Sequence, residues 1–334
     1  MRAGLTSPGS VTILNATNGS WPKDLNFDSA WILTTDIFTY SKFSENLPNN
    51  VMLVQACDMI NSVANRLSDE IINIDQKLIR SRFYKSWLAS NLGERNPYTS
   101  DFFLNICQSI AIIESVRLGG HHCVVIDDQD YGQTLLETCR HNQINTVWHG
   151  LNLKPSKYRW SKIIKALLSG LKFSVKQISA GRKWQNNGSI KGNGVFLLSW
   201  TNSSTFSSEW PKNLDSYFGI LPQWIRKFGY KPHWLGNPLS WIETTSSIVA
   251  NASAAIDIAI PIPTLIKYRD IGPAIWGWFI FPFAIKKNLI VAGIDVSPVV
   301  QFFVRKELSS PQIIQALLLA NLAKNMKSKQ ITPD

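Results

Sequence analysis

Short runs of β-branched and aromatic residues, ending at Asp, Asn, Ser or Thr, alternate along this chain with longer segments whose apolar positions recur every three or four residues. The short runs read as strands buried on both faces of a parallel sheet, and the longer segments as helices packed on it. In the first half the strand runs are Val11–Leu14, Trp31–Thr34, Val51–Val54, Val124–Ile126 and Thr146–Trp148. Helical patterns cover Met59–Leu67, Ile74–Leu88 and Phe102–Leu118, and Asn96-Pro97 breaks the chain before the last. The stretch from Val124 to Gly150 condenses the pattern. A strand ends at Asp127 and Asp128, a helix follows with Leu135, Leu136 and Cys139 on one side, and a second strand runs into His149-Gly150. Ligands of open α/β sheets gather at the carboxyl ends of strands, so this is the first place to look for chemistry.

The second half repeats the alternation. Val195–Trp200 is a strand ending at a hydroxyl-rich loop, Thr201–Ser208. A helix from about residue 213 carries Tyr217, Ile220, Leu221, Trp224, Ile225 and Phe228 as an apolar stripe, Gly229 ends it, and Tyr230–Leu235 is the next strand. This is a βαβ unit with Ser199, Trp200, Thr201 and Asn202 at its strand end. Gly192-x-Gly194 precedes the strand and so is no dinucleotide fingerprint, and no Walker A sequence is present. The expected fold class is α/β: two Rossmann-like units joined by a basic helical connector. The expected division is residues 1–150, a connector over 151–194, and a second unit over 195–334.

Charge sharpens the connector. The chain carries a net charge of +11. Ten basic residues and no acidic one lie between Leu151 and Lys191, leaving the rest nearly neutral. Counted at about 100° per residue, Trp160, Ile163, Ile164, Leu167, Leu168, Leu171, Val175 and Ile178 share one helical face, and Lys162, Lys165, Lys172 and Lys176 the other. Two readings stand: a surface helix completing a core while its lysines stay solvated, and a helix drawn to an anionic membrane surface or polyanionic substrate. No recognition module with interleaved aromatic and basic positions accompanies it, so nucleic acid is not an expected partner.

Length and the 45% hydrophobic content suit a soluble chain with two ordinary cores. Cys57, Cys107, Cys123 and Cys139 lack metal-ligand spacing and read as reduced core thiols of a cytoplasmic protein. His121-His122 reads as a turn pair, and no metal is assigned. Five Asn-x-Ser/Thr triplets follow no signal-peptide pattern and are discounted. Ile271–Ile285 is too short and too rich in Pro and Gly to span a membrane, and reads as a buried segment or surface hairpin.

The phrase VFLLSWTNSSTF, followed by NLDSYFGILPQWIRKFGYKPHWLG, resembles the opening of the glycosyltransferase-like region of bacterial surface carbohydrate (capsule and lipopolysaccharide) biosynthesis proteins. There a strand of the FLSY type leads into a YFG-x-LP helix and a G-x-x-V-x-W-L strand. The run from Asp128 to Thr146-Val147-Trp148-His149-Gly150 is similar to the acid, helix, strand, His-Gly element of GT-B transferases. The likeness covers about two-thirds of the chain, and Tyr217-Phe218-Gly219-x-Leu221-Pro222 is its specific part. Two departures stand out: the acidic-aromatic ENQ-x-WE element is not found before Asp334, and Trp148 stands where Gln is frequent. A partial or diverged second half is therefore expected.

The resemblance implies transfer of a sugar from a nucleotide-sugar to a lipid-linked or glycan acceptor at the cytoplasmic membrane face, with the donor as substrate and no cofactor. Such transfer needs a base for the acceptor hydroxyl and positive charge or dipoles for the departing nucleoside diphosphate. His149 is the candidate base, with a turn histidine as the alternative. Asp128 is a second catalytic candidate. With Asp130 it forms Asp-x-Asp, which suits a metal and diphosphate as in GT-A enzymes, or else helix capping. Gly150, Asn152, Ser199, Trp200, Thr201, Asn202 and Tyr217 are expected to line the substrate site, and the four connector lysines to meet an anionic surface. A non-catalytic binding module of a polysaccharide assembly is the alternative to the enzyme.

Overall fold

The computed structural model describes residues 9–18, 20–21, 26–79, 101–149, 160–184, 194–201, 219–238, 245–254, 258–285, 289–319 and 325. It shows an α/β protein with parallel sheets. All five strands expected in the first half are present: β1 (Ser10–Asn15), β2 (Ser29–Leu33), β3 (Met52–Leu53), β4 (His121–Ile126) and β5 (Asn145–His149). The helices among them are α1 (Ile37–Glu45), α2 (Ala56–Ile79), α3 (Phe102–Arg117) and α4 (Gln129–His141). What was read as two helical patterns after β3 is one helix as far as Ile79, and residues 80–88 lie outside the described residues.

The five strands form one parallel sheet in the order β3-β2-β4-β1-β5. A Rossmann sheet instead places its first strand third, 3-2-1-4-5. The register puts Leu14, Ala30, Ile32, Cys123 and Val125 on one face, where they form a core with Ala16, Phe27 and Phe43 of α1. Ile13, Trp31 and Val124 share the other face, which α4 covers. Gly132 of α4 permits the closest approach, because a Cβ there would fall 2.7 Å from the Trp148 ring. Eleven α3 residues are buried, which suits a helix apolar almost all round and enclosed by α2, α4 and a later helix.

The rest of the chain supplies α5 (Trp160–Gly181), β6 (Gly194–Thr201), α6 (Leu221–Lys227), β7 (Lys231–Pro238), α7 (Thr245–Ala254), β8 (Ile258–Pro261), α8 (Ile271–Ile280), the hairpin β9 (Ile290–Val291) and β10 (Ile294–Asp295), α9 (Ser297–Leu308) and α10 (Gln312–Leu319). Strands β6, β7 and β8 form a second parallel sheet in sequence order. Its core joins Leu197, Ile225, Trp234, Ile248 and Ala259.

The chain divides into two compact units, but not at the contiguous boundaries expected. One unit comprises Met1–Ile164 with Ile280–Ser309, and the other Lys165–Phe279 with Ser310–Asp334. Within the first unit the returning segment is tied to α3 and to the end of α4. Asn142 and Asp295 exchange two hydrogen bonds of 3.0 Å, and Phe102 meets Phe303 edge-on. The connector is therefore not a separate body, since the division falls inside α5.

Helix α5 buries only part of the apolar face read as either core-packed or membrane-facing. Its four lysines are exposed, as expected, and Ile163 is buried, but Leu167 and Leu171 are half-buried and Val175 is exposed. The buried positions are Ile163, Ala166, Gly170, Ser174, Gln177, Ile178, Ala180 and Gly181. Small residues win because the backbone comes close: a Cβ on Gly170 would sit 2.7 Å from the Pro311 carbonyl, and one on Gly181 2.5 Å from the Pro263 carbonyl.

No described helix is long and apolar enough to cross a membrane. Residues 271–285 form α8 and a 3-10 turn, with Trp278 and Phe281 buried and Trp276 and Phe279 exposed.

Candidate functional site

The topology marks one edge of the first sheet. From β1 the chain leaves toward β2, and Ala16 and Phe27 of that connection pack on one face. From β4 it leaves toward β5 through α4 on the other face. Because β1 and β4 are neighbours, their carboxyl ends form a switch point, the place where open α/β sheets leave a crevice. Across this edge the strand ends present, in order, Thr34-Thr35-Asp36, Asp127-Asp128, Asn15 to Thr17, and His149.

Each polar group there has a local cause. Asp127, just past β4, accepts from the Thr34 hydroxyl at 2.8 Å and from the Thr35 amide at 3.1 Å, tying the ends of β2 and β4 together. Asp36 caps α1 by accepting from the amides of Phe38 and Thr39, each at 3.2 Å, and from the Thr39 hydroxyl at 2.6 Å. The Thr39 hydroxyl leads in holding the Asp36 carboxyl below its ordinary range. Asn15 closes a turn, accepting from the Thr17 amide at 2.8 Å and hydroxyl at 2.6 Å.

Asp128 is the cap of α4. Its Oδ1 accepts from the amides of Asp130 at 2.9 Å and Tyr131 at 3.3 Å. Asp130 itself is buried in the first turn. The two carboxylates are thus not offered together as the Asp-x-Asp reading required, and no group of three or more potential metal ligands occurs among the described residues. Capping decides this, because the first-turn amides need acceptors and Asp128 is the nearest.

His149 ends β5 opposite Leu14, on the sheet face that Leu14 shares, while Trp148 points to the α4 face. Its ring is half-buried, and its Nδ1 is shielded from solvent with no hydrogen-bond partner among the described residues. With strands about 4.8 Å apart, His149 stands two strands, roughly 10 Å, from the Asp127 and Asp128 backbone.

Other expected site residues are placed differently. Gly150, Asn152, Asn202 and Tyr217 lie outside the described residues. Ser199 and Trp200 end the expected strand, and Thr201, expected to open the loop, still belongs to β6, the three pairing with Gly236, Asn237 and Pro238. Their side chains are outside the described set. The His121-His122 pair opens β4 and is not a turn. His121 meets the Thr12 hydroxyl at 2.9 Å, and buried His122 meets the Ser29 hydroxyl at 2.5 Å. Burial leads in lowering the His122 pKa. Cys107, Cys123 and Cys139 are buried, and burial pushes their thiols up to about 11, 12 and 12, whereas Cys57 is exposed.

Thr34, Thr35, Asp36 and Asn15 were missed at the sequence level. Their signal was present, since both TTD after Trp31-Ile32-Leu33 and NATN after Val11–Leu14 are polar stops on apolar runs. Comparison with protein families, curated proteins and solved structures finds no match.

Proposed function

We propose that the chain is a glycosyltransferase-like protein of surface polysaccharide biosynthesis, its two α/β units standing for the two Rossmann-like halves of a GT-B transferase. It moves a sugar from a nucleotide-sugar to a lipid-linked or glycan acceptor at the cytoplasmic face of the membrane. The observation that carries this reading is His149: a half-buried imidazole at a strand end, on the same sheet edge as Asp36, Asp127 and Asp128.

A polyol acceptor suits that edge. Carboxylate oxygens are strong acceptors with room for more than one donor each, and Thr and Asn side chains both donate and accept. In the proposed step the acceptor oxygen bonds the anomeric carbon, the bond to the diphosphate breaks, and the acceptor proton passes to His149. The diphosphate belongs elsewhere than at the α1 or α4 N-terminus, since Asp36 and Asp128 already occupy those amides with negative charge. The donor is therefore assigned to the second unit, at the carboxyl ends of β6 and β7. No metal or other cofactor is invoked. The exposed lysines of α5 supply attraction to anionic lipid.

A second reading, a non-catalytic glycan-binding module, is favoured by the same capped helix ends, because Asp36 and Asp128 already occupy the amides of α1 and α4. One experiment separates the two. Full-length protein is incubated with UDP-, GDP- and dTDP-sugars, and nucleoside diphosphate release and calorimetric binding are measured. Turnover that falls about 10²–10⁴-fold in His149→Ala at unchanged melting temperature supports the transferase. Unchanged turnover per molecule with a lowered melting temperature makes His149 structural, and no binding of any donor leaves the module reading.

A further inference from the structure

Of helix α6, which carries part of the apolar stripe read from the sequence, only Pro222 and Ile225 are buried. Leu221, Trp224 and Phe228, spaced three and four residues apart on one side, are exposed, Trp224 by 54% and Phe228 by 67%. The Trp224 and Phe228 ring centroids lie 6.3 Å apart, and Ile220 and Tyr230 extend the apolar surface at either end. Exposed aromatic residues concentrated within eleven positions are more than scattered surface apolars, which need no explanation. Along the sequence the neighbouring charge is of one sign: Arg226, Lys227 and Lys231 are exposed, and no acidic residue occurs between Asp215 and Glu243.

We infer that this surface of the second unit docks on an anionic phospholipid bilayer, with Trp224 and Phe228 entering the headgroup region and Lys227 and Lys231 meeting lipid phosphates. Trp and Tyr favour that depth because an apolar ring body and a polar N–H or O–H end match the two sides of the interface. The charge commits the patch to an anionic surface, since an uncharged apolar partner would gain nothing from the flanking Lys227 and Lys231. The inference deepens the membrane part of the proposed function and rests on it for location alone.

The test is co-sedimentation of the full chain with phosphatidylcholine vesicles and with vesicles containing phosphatidylglycerol, alongside donor turnover in solution. Wild type is expected to bind the anionic vesicles alone. Trp224→Ser combined with Phe228→Ser is expected to weaken binding at least tenfold at unchanged melting temperature, and Lys227→Gln with Lys231→Gln by about fivefold per charge removed. Binding unchanged in the aromatic variant, or equal binding to neutral vesicles, overturns the inference. So does a wild-type dimer that the aromatic variant makes monomeric without any vesicle binding. Absent donor turnover with intact vesicle binding strikes the transferase reading and leaves this one standing.

Discussion

Replacing Gly181 by Ala tests whether small residues seat α5. In most helices this change stabilises by up to about 1 kcal/mol, because Ala has the better propensity and the unfolded chain loses freedom. Here the added Cβ would lie 2.5 Å from the Pro263 carbonyl oxygen, 2.6 Å from its carbon and 2.7 Å from the Thr264 nitrogen. Apolar contacts are most favourable near 3.5–4.0 Å, so these are repulsive approaches. The opposing atoms are backbone, and residues Ile262 to Leu265 are buried, so no rotamer change relieves the clash. Overpacking of this kind costs about 1–3 kcal/mol. Set against the propensity gain, we expect a net loss of about 1–2 kcal/mol, or roughly 2–8 °C in the melting temperature of the second unit. Gly272→Ala is the control, since nothing lies within 4 Å of its Cβ position, and it should be neutral or slightly stabilising. Scanning calorimetry of both variants reads the difference, and hydrogen exchange over residues 163–181 reports whether α5 loosens. A Gly181→Ala protein melting at or above wild type, with α5 equally protected, would refute the close packing of α5 on Pro263.

Two further outcomes follow from the first unit. Asp128→Ala should cost about 0.5–2 kcal/mol in urea denaturation through loss of the α4 cap, whereas Asp128→Asn should retain the stability; donor turnover falling in the Asn variant would give the carboxylate charge a role beyond capping. His122 is held neutral by burial, so its folded pKa lies below the ordinary 6.5 and the unfolded chain binds the extra proton first. The associated stability is complete above about pH 6.5 and is lost as the pH falls below it. His122→Gln should flatten the decline in urea midpoint between pH 7 and pH 5, and identical declines in the two proteins would show that other groups carry it.

Local pattern sufficed for the strands and most helices of the first unit. A run such as Val124-Val125-Ile126 is buried on both faces wherever its sheet lies, and Asp128 before a helical stripe is a cap in almost any context. The carboxyl-end placement of His149 was legible for the same reason: it follows directly on a strand. Strand order was not legible, because inserting β4 between β2 and β1 depends on pairings more than ninety residues apart in sequence. That order alone brings Asp127 to Thr34 and Thr35 and sets His149 two strands away from it. Likewise, periodicity identified apolar stripes on α5 and α6 but not which way they turn. Sequence determines that a helix has a face, whereas the neighbours determine what that face meets. Gly170 and Gly181 draw α5 in by its small side, leaving Leu168 60% exposed, and the inward positions of α6 go to Pro222 and Ile225, leaving Trp224 and Phe228 outside. Residues Ile280–Ser309 join the first unit on the same principle, since Phe303 and Asp295 find their partners there across a sequence separation that no local pattern encodes.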